Sequence, residues 1–227
     1  MAQQMIFDLP VKTAHGRDDF FISPTNALAV KMLEDWPKWP DNKLALVGPV
    51  GSGKTHLTQV WAAEIGATVT AALDLAKTDI PMLAAAPAAI EDIRNIATNA
   101  AAQEALFHLH NLMHETGTPL LLTADMAPNH WALSLPDLQS RMSATAVTTL
   151  PAPDDALLSA VLIKLFADRQ IEVQPKLIAY LIKRMERSFD AAGALVAALD
   201  KAALSERRAI SISIAAQVLD NWDENTA

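Results

Sequence analysis

Short apolar runs and longer amphipathic stretches take turns along the first two thirds of the chain. The runs fall at residues 44–47, 68–73, 88–90, 119–123 and 146–150. Runs of that length, bounded by polar segments, read as buried strands, and the stretches between them carry the 3.6-residue spacing of helices. Residues 54–65 make the first such helix. This alternation predicts an α/β fold with a parallel sheet flanked by helices. The run at 88–90 is Ala-Ala-Ile, weak in strand propensity, and its placement as the third strand rests on the acidic pair that follows it.

Near Pro151-Ala152-Pro153 the pattern changes. Asp154 and Asp155 can cap a helix reaching residue 167, Pro175 suits the first turn of another reaching 187, and Asp190 opens a third reaching 205. The β-branched alternation at 210–214 reads as the only good strand of this region. We therefore expect a flexible segment over 1–15, an α/β domain over 16–152, and a small helical lid domain over 153–227.

Composition narrows the function classes. With 227 residues and 51% hydrophobic content, the chain can bury a sizeable core. It has no run of about 18 apolar residues to cross a membrane, and its start lacks the basic and apolar regions of a signal peptide. The absence of cysteine excludes disulfides, thiolate metal ligands and a cysteine nucleophile, and predicts a cytoplasmic location. A net charge of −8 opposes a broad nucleic-acid-binding face, because non-specific affinity comes from neutralised phosphates. A local basic patch stays compatible with that charge.

The strongest candidate chemistry is Gly48-Pro49-Val50-Gly51-Ser52-Gly53-Lys54-Thr55, which fits the phosphate-loop pattern GxxxxGKS/T between a strand and a helix. Glycines let backbone N–H groups turn inward around a β-phosphate at the positive end of the helix. Lys54 would reach the β- and γ-phosphates, Thr55 would offer its hydroxyl to Mg²⁺, and His56 completes the nucleotide-binding stretch. A second carboxylate site is needed to hold Mg²⁺ and aim a water. Glu91 and Asp92, at the end of the third strand, are the candidates, in the inverse of the common Asp-Glu order. Thr123 and Asp125 end the fourth strand, at the edge where ligands bind in open parallel sheets.

Other clusters carry less. His108, His110 and His114 lie on one helix, and the last two have the i, i+4 spacing of metal ligands. No third ligand is evident, and they read as solvated or half-buried helix histidines. The five tryptophans are scattered, as packing anchors are, and Trp36-Pro37-Lys38-Trp39-Pro40 reads as a turn before the first core strand.

The order of phosphate loop, acidic pair, Thr123/Asp125 and Leu135-Pro136-Asp137-Leu138-Gln139-Ser140-Arg141 resembles the AAA+ ATPases, most closely the Hda/DnaA branch of bacterial replication proteins. The resemblance continues through residues 180–185 and 198–202, nearly to the end of the chain. It implies that Arg141 is an arginine finger entering a neighbouring subunit's nucleotide site. With the sequence ending at Ala227, no helix-turn-helix DNA-binding domain of the DnaA kind is expected after the lid. Gln4-Met5-Ile6-Phe7-Asp8-Leu9 is similar to the hexapeptide by which such proteins hold the β sliding clamp, with Gln4 at the rim of a pocket and Met5, Phe7 and Leu9 among its partner-binding residues. One departure stands out. The family places a γ-phosphate-sensing arginine at the start of the third lid helix, where this chain has Asp190, with Arg187 one turn earlier.

The resemblance therefore implies a regulator of chromosomal replication initiation that binds the sliding clamp and ADP or ATP with Mg²⁺. It would stimulate hydrolysis of DnaA-bound ATP in trans and meet DNA only through the clamp. Weak or absent ATPase activity of its own is expected, and self-association into a homo-oligomer is compatible with the class. Two alternatives stay open: a self-sufficient ATPase such as a helicase loader, which would turn over without DnaA, and a nucleotide-independent clamp-binding adaptor, which would be indifferent to Lys54→Ala.

Overall fold

The computed structural model describes residues 21–206 and 208–226, the last five without their side chains. Gln4, Met5, Phe7 and Leu9 lie outside that range. Two compact units divide the described residues, one from Pro24 to Pro151 and one that joins Phe21–Ser23 to the residues from Ala152 onward.

In the first unit five parallel strands, β1 (Lys43–Val47), β2 (Thr68–Ala71), β3 (Ala88–Glu91), β4 (Leu120–Ala124) and β5 (Ala146–Thr149), stand in the order β2-β3-β4-β1-β5. The helices are α1 (Ala27–Glu34), α2 (Lys54–Ile65), α3 (Ile80–Ala84), α4 (Ala100–Thr116) and α5 (Pro136–Ala144). β1 and β4 are buried along their whole length, as strands covered on both faces must be, which is why they read as unbroken apolar runs. The alanines of β3 are fully buried, and Ala88 packs in one core with Leu83, Leu106 and Leu109 from the covering helices. Central position and close packing override their poor propensity. β2 stops at Ala71 rather than at residue 73, because Ala72–Lys77 turns into a 3-10 helix that buries Ala72 and Leu75. Three of the tryptophans act as packing anchors: Trp39 stacks on Trp61 with ring centroids 5.4 Å apart, and Trp131 is fully buried with its indole N–H donated to the Met126 carbonyl at 2.7 Å.

The second unit is made of α6 (Asp155–Asp168), α7 (Pro175–Ile182), α8 (Phe189–Glu206) and α9 (Ile212–Thr226) around their own core, from Leu158 to Ala215. Asp154 caps α6 by accepting the Leu157 N–H at 2.8 Å, worth about 1 kcal/mol. α7 ends at Ile182, earlier than residue 187. Ser188, whose hydroxyl oxygen accepts the Ala191 N–H at 3.0 Å, starts α8 and leaves Asp190 in its first turn. The strand expected at 210–214 is not formed, and α9 takes its place. Ile214 and Ala215 are buried, with Val218 and Leu219 packed beside them, so the apolar positions continue at helical spacing beyond the β-branched start, and packing decides.

Candidate functional site

The glycine loop leaves the exit end of β1 and opens α2. Gly51 and Gly53 have φ of 72° and 94°, a left-handed backbone that glycine adopts without steric cost. No side chain caps the first turn of α2, so its N–H groups face outward as an anion site. The Gly48 N–H is donated to the Ala124 carbonyl of β4 at 3.1 Å, pinning the loop to the neighbouring strand. The Lys54 ammonium donates to the Gly48 and Pro49 carbonyls at 2.8 and 2.9 Å, and so lies inside the loop curve. Thr55 and His56 are exposed on the first turn.

The acidic pair arrives from β3. Glu91 is half-buried, and the Thr55 hydroxyl donates to its carboxylate. Burial pushes the Glu91 carboxyl above its ordinary range. The Thr55 hydrogen bond opposes that shift, Asp92 adds to it and Lys54 opposes it. One Glu91 oxygen, Oε1, is buried with no hydrogen-bond partner. A desolvated carboxylate oxygen beside a threonine hydroxyl is a hard-oxygen donor set that suits Mg²⁺, which takes one or two protein ligands plus phosphates and waters. The residues present fit that ion. Asp92 is exposed, with a left-handed backbone (φ 58°) and its N–H donated to Thr123 Oγ1 at 3.1 Å. Asp125 is paired with Arg94. The structure thus brings Gly48, Pro49, Gly51, Ser52, Gly53, Lys54, Thr55, Glu91, Asp92 and Asp125 to the exit ends of three adjacent strands.

Arg141 is elsewhere. It sits on α5, which forms because Pro136 takes the first turn, Asp137 meets the positive helix end and Leu138 and Met142 are buried. Buried Gln103 fixes the entrance to α5: its Oε1 accepts the Ser134 and Leu135 N–H groups at 2.9 and 3.1 Å, and its Nε2 donates to the Ile96 and Ala97 carbonyls. α5 leads into Ala146, which pairs with Leu44 at the entry end of β1. There the exposed Arg141 guanidinium lies over the Phe107 ring, 5.4 Å from its centroid, and repels Lys43, the first residue of β1. Five residues of strand, at about 3.3 Å each, separate that end from the glycine loop. In the second unit, Asp190 lies in the first turn of α8, and Arg187 pairs with Asp155 at 2.7 Å.

Arg94, Lys43 and Phe107 escaped the sequence reading. Arg94 meets Asp125 across 31 residues, a separation set by a complete strand-helix-strand unit that no local pattern reports.

Of the histidines expected to be solvated or half-buried, only His110 departs, by being buried. His110 is 6% exposed and its Nδ1 has no hydrogen-bond partner, while His108 and His114 are exposed. Burial, then the Lys43 and Arg141 charges, lower the His110 pKa to about 4. Between its ordinary value near 6.5 and pH 4, the unfolded chain takes up a proton that the folded chain refuses, so stability is lost as the pH drops through that window. The loss should reach about 3 kcal/mol. Urea unfolding midpoints between pH 4 and 7 should fall more steeply for the natural chain than for His110→Gln. Equal slopes would contradict this.

A five-strand parallel sheet with a phosphate loop after β1, followed by a helical unit, is the arrangement of the AAA+ fold. Residues 155–219 match the family model of the Hda lid domain. Domain III of the Thermotoga maritima replication initiation protein DnaA is 18% identical, with 90% of this chain and 95% of that one covered and a TM-score of 0.75. A DNA replication initiation factor is 18% identical, covering 83% and 64%, with a TM-score of 0.72; this chain thus spans under two thirds of that protein's length. A DnaA bound to AMPPCP and single-stranded DNA is 20% identical, covering 84% and 67%, at 0.68. The helical unit thus matches the Hda lid family, and the chain as a whole shares its fold with DnaA. Among the described residues no helix is long and apolar enough to cross a membrane.

Proposed function

We propose that the chain is a regulator of chromosomal replication initiation that binds ADP or ATP at Gly48 to Thr55 and stimulates hydrolysis of DnaA-bound ATP in trans. The observation that carries this is the separation of the two halves of the site. The phosphate loop, Thr55 and Glu91 gather at the exit ends of the strands, while Arg141 is exposed at the entry end of β1, too far away to serve its own loop. A guanidinium held outward by a ring, without an ion-pair partner among the described residues, is suited to a neighbour's phosphates.

The roles follow from position. The uncapped first turn of α2 and Lys54 hold the β-phosphate, and Thr55 and Glu91 hold Mg²⁺. Magnesium bound there would offset phosphate charge. Asp92 is too exposed to organise a water tightly, so the isolated chain should turn ATP over slowly, and the family resemblance, which puts Asp190 where an arginine reads the γ-phosphate, implies a preference for ADP. Gln4, Met5, Phe7 and Leu9 would tether the protein to the β sliding clamp, and tethering raises effective concentration so that the contact with DnaA can be weak.

Calorimetric titration tests the nucleotide half. ADP should bind the natural chain, and Lys54→Ala should weaken it about 100-fold, as expected on losing a charge-assisted contact to phosphate. Unchanged binding by the variant would refute the assigned site. In the same preparation, removal of residues 1–10 should abolish clamp binding and leave ADP affinity intact.

A further inference from the structure

The Arg94–Asp125 pair joins two chain segments at the rim of the phosphate loop. The Gly48 N–H bond to the Ala124 carbonyl, 3.1 Å long, places residue 125 beside the first glycine of the loop. The Asp92 N–H bond to Thr123 Oγ1, also 3.1 Å, draws the segment after β3 to the same rim. From there the short helix Ile93–Ile96 carries Arg94 back to the Asp125 carboxylate. In the sheet, β4 lies between β3 and β1, so the pair sits between Glu91, beside Thr55, and the glycine loop. That is where phosphates beyond the β-phosphate would extend from Lys54 and Thr55.

We propose that Arg94 reads the γ-phosphate within this chain, and that Asp125 holds it in reserve, so that the pair sets the choice between nucleoside diphosphate and triphosphate. The inference rests on the nucleotide reading above. A guanidinium binds a phosphate through the same fork that grips a carboxylate, and a phosphate terminus carries more charge. The Arg94 and Asp125 side chains are 38% and 37% exposed. Half-exposed pairs are weak, so exchange of Arg94 from Asp125 to phosphate costs little. Asp125 acts in both arrangements: paired, it occupies the cation that a triphosphate needs, and unpaired, it repels the triphosphate. A diphosphate, held by the loop and Lys54, does not reach the pair. The result is a cation within the α/β unit that reads the γ-phosphate without an arginine at position 190.

Two substitutions separate this from a merely structural ion pair. Arg94→Gln removes the attraction and uncovers Asp125, and should weaken a non-hydrolysable triphosphate about tenfold. Asp125→Asn releases Arg94 and removes the repulsion, and should strengthen it about tenfold. ADP affinity should change less than about twofold in Arg94→Gln, and less than AMPPCP affinity in Asp125→Asn. The experiment is titration of the natural chain and both variants with ADP and AMPPCP in Mg²⁺. Opposite shifts for the triphosphate, larger than those for ADP, support the proposal. Shifts in the same direction, or equal shifts for both nucleotides, overturn it while leaving the nucleotide site standing. If the natural chain binds neither nucleotide, the nucleotide reading fails and this inference with it.

Discussion

Replacing Arg141 by alanine is expected to abolish stimulation of DnaA-bound ATP hydrolysis while leaving the protein folded and able to bind ADP. The guanidinium is solvent-exposed and rests over the Phe107 ring, a contact worth about 1 kcal/mol or less at an exposed site. Stability should therefore fall by no more than that. The catalytic loss should be far larger, because trans arginines in GTPase systems supply about 10³- to 10⁵-fold, and a drop of about 10³-fold or more is expected here. Arg141→Lys should recover little, since an ammonium lacks the planar fork that spans two phosphoryl oxygens. Single-turnover decay of pre-bound ATP on DnaA measures this, with thermal unfolding of both variants as the folding control. Full stimulation by Arg141→Ala would remove the finger.

Gly48→Ala should act on stability. A Cβ at Gly48 would lie 2.1 Å from the Leu150 carbonyl oxygen and 3.1 Å from Ser52 Oγ. The first of these is backbone that cannot swing aside, because the Leu150 N–H is donated to the Val47 carbonyl at 2.7 Å. Relief requires parting β5 from β1 or dragging the loop off Ala124. Overpacking of this kind costs about 3 kcal/mol, a large share of the roughly 5–15 kcal/mol that holds a domain. The urea midpoint should drop accordingly and nucleotide binding should fail with it. Gly193 makes the contrast. It lies inside α8 with nothing within 4 Å of an added Cβ, so Gly193→Ala should stabilise by about 0.5–1 kcal/mol. Equal urea midpoints for Gly48→Ala and the natural chain would contradict the close approach drawn here.

What was legible depended on range. The strand-loop-helix from Lys43 to Ile65 could be read directly, because its apolar run, glycines and amphipathic helix are all local signals. β3 was weak as a string of alanines, and only its neighbours make it a central strand. The segment at 210–214 misled because β-branched residues favour strands in isolation, while the lid core accepts Ile214 and Ala215 from a helix. Two features depend on long-range placement: the Arg94–Asp125 pair, and the distance of Arg141 from its own phosphate loop. Both follow from the sheet order β2-β3-β4-β1-β5, which brings together residues far apart in the chain and holds others at opposite strand ends.

The most direct test of the account is the lifetime of radiolabelled ATP pre-bound to DnaA, followed with DNA-loaded clamp in the presence and absence of this protein. Conversion to ADP should be rapid only when the protein and the loaded clamp are both present. An ATP lifetime unchanged by the protein would contradict it.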